Sequence, residues 1–144
     1  MPTDISSLKS IPLFSGLESE ELEKISALMH PMHVKEGETL TRRNDAAHTF
    51  FVALRGNFLL TFKEDRSFTL HKRGDFMGWS TVVTPFHYRG TTIALTDGEV
   101  LTMAGQDFQE LLRANAALSS KIMKKINDIM SERMPFITGS VKNP

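Results

Sequence analysis

The stretch from Met32 to Ala104 constrains the fold more than any other part of the chain. Its apolar segments are short, rich in Thr, Val, Phe and Leu, and separated by glycines at positions 37, 56, 74 and 98. Such segments between turn residues are typical of many short strands. We therefore predict a mainly β fold, an antiparallel β-roll (a jelly-roll-like barrel) over residues 32–104.

The clearest pair of predicted strands lies on either side of Gly56 and Asn57. Residues 50–54 and 58–62 are apolar at almost every position. A Gly-Asn pair between two apolar runs suits a tight turn, so we predict a hairpin here. Because both faces of these strands are apolar, we expect a helix to cover one of them.

Helices are predicted on both sides of the β-roll. The N-terminal helical region covers residues 4–30, and its clearest helix runs from Leu17 to Met29. Ser19 is the predicted N-cap, with Glu20 and Glu21 at the positive end of the helix dipole. Pro31 is expected to stop this helix.

The predicted C-terminal helices span residues 106–134. Gln106 to Ala114 carries one apolar face, and Leu118 to Met130 carries an apolar stripe at helical spacing. This stripe is wide enough to contact both the β-roll and a second copy, which predicts a homodimer through residues 118–130; ordinary core packing is the alternative. Pro135 should end the helix and leave residues 135–144 as a loose tail.

Composition and charge narrow the functional classes. Lys plus Arg and Asp plus Glu both number 17, so no general affinity for nucleic acid or anionic membrane is expected. No apolar run is long enough to cross a membrane, and the first ten residues do not resemble a secretory signal. We predict one cytoplasmic domain over residues 1–144, with too little chain after the last helix for a helix-turn-helix DNA-binding domain.

Catalysis and metal binding find little support in the residue pattern. The chain has no cysteine, which excludes thiolate ligands and a cysteine nucleophile. Its histidines do not form a close His-x-His pair, and Pro31 separates His30 from His33. No recognisable turn presents a Ser–His–Asp set. We therefore predict no enzymatic activity, no catalytic residue, no metal site and no cofactor.

An anion-binding constellation lies between Gly78 and Arg89. Gly78 permits a close backbone approach, and Trp79 to Val83 is about one helical turn long, with free N–H groups at its start. Such groups attract anions, and the guanidinium fork of Arg89 suits phosphate oxygens. Gly90 and Thr91 add another close backbone approach and a hydroxyl.

The order of these motifs resembles that of the cyclic-nucleotide-binding domain family, over nearly the whole chain. The family's phosphate cassette has a Phe/Ile-Gly-Glu entry, a short helix, and an Arg followed by small residues. The 11-residue separation of Gly78 and Arg89 is typical of it. The other matching segments are, in chain order, Lys35-Glu36-Gly37-Glu38, Asp45 to Gly56 with Phe50-Phe51-Val52, Gly74-Asp75-Phe76-Met77-Gly78, Gln106 to Leu112, and Ala117 to Met134.

The resemblance implies that the chain binds a phosphate-bearing small ligand, with cyclic AMP and cyclic GMP as candidates, and signals to a separate effector protein through its C-terminal helix. The implied ligand-binding residues are Gly78, Trp79, Ser80, Arg89, Gly90 and Thr91. Where the family has a Glu that accepts a bond from the ribose 2′-hydroxyl, this chain has Trp79. The phosphate half of the pocket is thus kept, and the ribose half differs.

A second hypothesis stays open on the same residues. Trp79 is large enough to fill part of the sugar site, or it could stack on a planar ligand. In the first case the chain would be a ligand-free, degenerate domain that acts as a dimerisation or protein-interaction module.

Overall fold

Two four-stranded antiparallel sheets with helices at both ends form the framework, which confirms the predicted β-roll. This computed structural model describes residues 5–83 and 86–138. The elements are α1 (Ile5–Lys9), α2 (Ser19–Leu28), β1 (His30–Val34), β2 (Thr39–Thr41), β3 (Thr49–Arg55), β4 (Phe58–Thr61), β5 (Ser67–Leu70), β6 (Phe76–Met77), β7 (Thr91–Ala94), β8 (Gly98–Ala104), α3 (Gly105–Ala114) and α4 (Ala116–Thr138), with short 3₁₀ turns at Pro12–Phe14, Lys63–Asp65 and Trp79–Thr81.

The sheets have the strand orders β1-β8-β3-β6 and β2-β7-β4-β5. In the first sheet Phe50 lies opposite Met103 and Val52 lies opposite Leu101. The core between the layers is strongly aromatic, and its fully buried rings are Phe14, Phe50, Phe58, Phe76 and Phe108.

The predicted hairpin at Gly56-Asn57 is wrong, because β3 and β4 belong to different sheets. β3 pairs with β6 and β8, and β4 pairs with β5 and β7. The physical reason lies in residues 50–53, which are all buried and therefore need cover on both faces of β3. The expected helix does cover one face, since Phe108 of α3 lies 4.9 Å from Phe50 between ring centroids.

The N-terminal boundaries also differ from the prediction. Glu18, rather than Ser19, is the N-cap of α2, and its backbone N–H donates to Glu21 Oε1 at 2.9 Å. The helix ends at Leu28, and β1 begins at His30, so that Pro31 lies inside the first strand, one residue before the predicted start of the β-roll. Pro31 is tolerated because β1 is an edge strand, where a missing N–H can face away from the neighbouring strand.

Pro135 does not end the last helix, because α4 continues to Thr138. The missing N–H of Pro135 removes one bond close to the helix end, and the buried side chains of Met130 and Arg133 hold the preceding turn. The remainder of the predicted tail, residues 139–144, lies outside the described residues.

The apolar stripe of α4 packs into the chain's own core. Leu118, Ile122, Ile126 and Met130 are all buried against the rest of the domain. The alternative of ordinary core packing thus accounts for this stripe, and the apolar side chains of α4 that stay partly exposed within residues 118–130 are Met123 and Ile129.

Candidate ligand-binding site

A single helical turn, Trp79–Thr81, follows β6 and is called here the cassette turn. Its own hydrogen bonds run from Thr81 N to Gly78 O at 3.1 Å and from Val82 N to Trp79 O at 3.0 Å. A one-turn helix leaves its first N–H groups without intrahelical partners, here those of Trp79 and Ser80. The expected turn with free amides at its start is therefore present.

Gly78 makes this turn possible. Its φ of +82° lies in the left-handed region, which side chains other than glycine rarely adopt. A Cβ atom at this position would lie 2.7 Å from the carbonyl oxygen of Thr49 and 3.3 Å from Cε1 of Tyr88. No larger residue fits without moving the backbone of β3.

The opposite wall comes from the segment Phe86–Gly90, which is held against residues 44–47. Asn44 N donates to Tyr88 O, Tyr88 N donates to Asp45 O, and each distance is 2.9 Å. The Tyr88 hydroxyl donates to Thr49 O at 2.7 Å and accepts from Thr49 N at 3.0 Å. Residues 84 and 85, which belong to the predicted cassette, lie outside the described residues.

Burial raises the pKa of the Tyr88 hydroxyl, while its bonds to the backbone of Thr49 act in the opposite direction. The hydroxyl therefore stays protonated at neutral pH and keeps donating to Thr49 O. This bond fixes the residue that precedes Arg89.

Arg89 extends into solvent at the mouth of the site. Within the part of the chain that the structure describes, no hydrogen bond or ion pair engages its guanidinium. All of its donors are thus available to an anion, and their planar fork can hold two phosphate oxygens at once.

The cassette turn and the Tyr88–Thr92 segment enclose one small cavity. Its volume accessible to the centre of a water molecule is about 10 Å³, which is room for roughly one water. Five predicted site residues line it, namely Gly78, Trp79, Ser80, Arg89 and Gly90. The other lining residues, which sequence reasoning missed, are Thr41, Leu60, Tyr88 and Thr92.

Of the predicted ligand-binding residues, Thr91 does not line the cavity. Its hydroxyl accepts from the backbone N–H of Arg43 at 3.1 Å, and the next residue, Thr92, takes the place in the wall. Thr41 Oγ1 donates to Gly90 O at 2.9 Å and lies 2.8 Å from Thr92 Oγ1. The strand alternation of β7 explains why Thr92 and not Thr91 faces inward.

The other side of the cavity is aromatic and closed. Trp79 is 5% exposed, and its ring centroid lies 6.1 Å from that of Phe62. Phe62 in turn packs against Gly90, where an added Cβ would lie 2.7 Å from its ring. The chain's own side chains therefore occupy the space next to Gly78, Ser80 and Gly90.

The cassette turn is also tied to the C-terminal helices. Gln109 of α3 donates from Nε2 to Thr81 O at 2.6 Å. This bond joins the turn to α3, which is followed directly by α4.

The described residues contain no group of three His, Asp or Glu side chains that could hold a metal ion. Within the same residues, no helix is both long and apolar enough to cross a membrane.

The structure thus combines a β-roll, helices at both ends, a glycine-initiated turn and an exposed arginine beyond that turn. Residues 31–115 match the family model of the cyclic nucleotide-binding domain. The chain belongs to the cyclic nucleotide-binding domain family.

Curated proteins that this chain resembles are longer than the chain itself. It is 23% identical over 143 residues to an uncharacterized NTE family protein of Mycobacterium tuberculosis, and the match covers 94% of this chain and 24% of the relative. It is 28% identical over 105 residues to the cAMP-dependent protein kinase regulatory subunit of Hypocrea atroviridis, covering 73% of this chain and 22% of that protein. The chain thus spans about a quarter of the length of these curated relatives.

The fold also matches a solved structure from Geobacter metallireducens that is assigned by name to the cyclic nucleotide-binding proteins. The TM-score is 0.83 at 20% sequence identity, and the match covers 91% of this chain and 98% of the other. At this identity the likeness establishes the fold alone.

Proposed function

We propose that this chain is a regulatory sensor domain that binds the phosphate group of a small ligand between the cassette turn and Arg89. The observation that carries the proposal is the guanidinium of Arg89, which has no hydrogen bond or ion pair among residues 5–83 and 86–138 and lies beside a cavity lined by Gly78, Ser80 and Gly90. Free backbone N–H groups and a guanidinium fork are the donors that phosphate oxygens prefer. The proposal assigns no catalytic step to the domain.

Cyclic AMP and cyclic GMP are the first ligands to test, because family members are named for them. The family's ribose-binding Glu is Trp79 here, and no carboxylate lines the cavity. A buried ribose hydroxyl without an acceptor costs about 1–3 kcal/mol, or about one to two decades in affinity. We therefore expect weaker binding than in a family member with that Glu.

Room for the ligand inside the cavity, its phosphate group included, requires the cavity walls to move, and Trp79 is the largest side chain in them. The cavity holds about one water molecule as it stands. Displacement of Trp79 would pull on the cassette turn, and the bond from Gln109 to Thr81 would pass this movement to α3 and α4. Signalling to a separate effector protein through the C-terminal helix follows from that path.

A thermal-shift assay with a panel of cyclic mono- and dinucleotides tests the proposal. A ligand at a hundred times its Kd stabilises the native state by about 2.7 kcal/mol, which raises Tm by roughly 10 °C in a domain of this size. Arg89→Ala should abolish the shift. The matched control is Arg55→Ala, because Arg55 is also exposed but lies six residues further along β3 from Thr49, about 20 Å away.

Two results would refute this function. One is the absence of any shift across the panel, and the other is an equal shift in the wild type and in Arg89→Ala. A shift that is lost in both arginine variants would show a general dependence on positive charge instead of a specific site, and would also count against this function.

The filled aromatic side of the cavity favours a second function, that of a ligand-free interaction or dimerisation module. Trp79 and Phe62 leave only water-sized space, and Met123 and Ile129 leave some apolar surface on α4. This function predicts a dimer in sedimentation at micromolar concentration and no response to nucleotides. Met123→Lys should dissociate that dimer; a monomer at high micromolar concentration would exclude self-association.

A further inference from the structure

Arg133 is a charged residue on the buried side of α4. It lies three residues after Met130, so it continues the apolar stripe of the helix at helical spacing. It is 8% exposed, and it is the only charged residue among the buried residues that the structure describes. Arginine is almost never buried to this degree without an ionic partner.

The guanidinium of Arg133 lies against two aromatic side chains, one from each sheet, and not beside a carboxylate. Nη1 donates to the carbonyl oxygen of Phe76 at 2.9 Å. The guanidinium carbon lies 4.4 Å from the ring centroid of Phe76 and 5.8 Å from that of Phe68. No carboxylate of the described residues lies within ion-pair distance.

Burial lowers the pKa of Arg133 to about 10, while the negative fields of Asp75 and Glu132 oppose the shift. The group therefore stays charged at neutral pH. Burying a charge is costly, and one hydrogen bond and two ring contacts offset only part of that cost, so an apolar side chain of similar volume is expected to be about as stable here. What the guanidinium supplies is a directional bond and a defined position over two rings.

Both rings that hold Arg133 lead to the cassette turn. Phe76 is the first residue of β6, whose second residue is followed directly by Gly78. Phe68 stacks on Phe62 at 5.5 Å between centroids, and Phe62 lies 6.1 Å from Trp79. The last turns of α4 are thus linked to the cassette turn by two routes: through Phe68 and Phe62 to Trp79, and along β6 from Phe76 to Gly78.

We propose that Arg133 is a latch that docks the C-terminal end of α4 on the β-roll and couples its position to Trp79 through Phe68 and Phe76. Arg133 is a positioning residue in this account, since it acts on the cassette through these rings. The latch concerns the unliganded protein and goes beyond the proposed function, so its test needs no ligand.

Hydrogen exchange and tryptophan fluorescence test the latch. Arg133→Met keeps most of the side-chain volume but loses the bond and the ring contacts, so amides 131–138 should exchange about tenfold faster, with β8 unchanged. Trp79 is the single tryptophan of the chain, so its emission reports directly on the cassette and should shift in the same variant. Arg113→Met, at an exposed arginine of α3, is the matched control and should change neither signal.

A second variant approaches the latch from the β-roll. Phe68→Leu removes one ring at a partly exposed position and should accelerate the same amides. The effect of the double variant should be smaller than the sum of the two single changes, because both remove the Arg133–Phe68 contact. Arg133→Lys keeps the charge but lacks the planar fork, and it should resemble Arg133→Met.

The latch would be overturned by unchanged exchange at 131–138 in Arg133→Met, by unchanged Trp79 emission, or by faster exchange spread evenly over the whole chain. A simply additive double variant would also contradict it. The thermal-shift result with nucleotides is independent of all four outcomes, so failure of one proposal is distinguishable from failure of the other.

Discussion

The two sides of the cavity at the cassette turn differ in how many contacts they make within the protein. On the anion side, Arg89 is exposed and has no hydrogen bond or ion pair within the described residues. On the aromatic side, Trp79 is buried and packs against Phe62, which packs in turn against Gly90. Arg89 is thus left without a partner among the described residues, while Trp79 and Phe62 contribute to the packing of the fold.

This difference separates stability from binding within a single site. Changes on the aromatic side should mainly affect the free energy of unfolding, and changes at Arg89 should mainly affect anion binding. Gly78 and Tyr88 lie where the two sides meet, so their effects should fall between these limits.

The largest expected loss of stability comes from Trp79→Ala. Removal of a buried tryptophan ring leaves a cavity beside Phe62 and should lower the free energy of unfolding by about 4 kcal/mol. Denaturant unfolding followed by circular dichroism measures it. A loss below about 1 kcal/mol would show that the ring is not part of the core.

Gly78→Ala should cost about 3 kcal/mol, because it combines a left-handed backbone with a Cβ placed 2.7 Å from Thr49 O. The matched control is Gly37→Ala. Gly37 has a similar φ of +85°, but nothing lies within 4 Å of its added Cβ, so its loss should be only about 1 kcal/mol. Equal losses in the two variants would mean that the approach of Gly78 to β3 contributes nothing.

Tyr88→Phe should cost about 1–2 kcal/mol at pH 8, since the buried Thr49 carbonyl loses its donor. The pKa of Tyr88 is raised in the folded state, so its contribution is complete below the ordinary value of 10 and is lost as pH rises through the folded value. The stability difference between wild type and variant should therefore shrink above pH 10. Tyr88 is the single tyrosine, so ultraviolet titration reports it directly; a midpoint at or below 10 would contradict the buried hydroxyl.

Arg89→Ala should have the smallest effect on stability, within about 0.5 kcal/mol, because the exposed side chain has no internal partner in the described residues. A small effect of Arg89→Ala on the free energy of unfolding, together with a large effect on anion binding, would separate the two sides of the cavity clearly. A loss of several kcal/mol would show that Arg89 serves the fold and would remove the contrast between the two sides.

The residue pattern was informative where it was local. The β-roll, the one-turn helix after Gly78 and the residues that flank it in sequence follow from glycine placement, apolar spacing and family resemblance. The hairpin at Gly56-Asn57 failed because an apolar run on both faces does not say which strand it pairs with. The partners of β3 depend on how residues 50–53 are buried between the layers, and this burial exists only in the assembled fold.

Residues that reach the site from afar gave no local signal. Thr41 lines the cavity because β2 pairs with β7, some 50 positions later. Tyr88 and Thr92 are sequence neighbours of predicted residues, and only the pairing of residues 44–47 and of β7 decides that they face the cavity. Arg133 is different, since it lies on the apolar stripe of α4 at helical spacing from Met130. A charged residue on a buried helical face was therefore visible in the sequence and could have been singled out.

Amide chemical shifts on addition of cyclic AMP or inorganic pyrophosphate test the central claim most directly. If the anion side of the cavity binds phosphate, the amides of Gly78, Trp79, Ser80 and Gly90 should move in a saturable way, and they should stay in place in Arg89→Ala. Stationary amides at these positions in the wild type, or equal shifts in Arg89→Ala, would contradict the account.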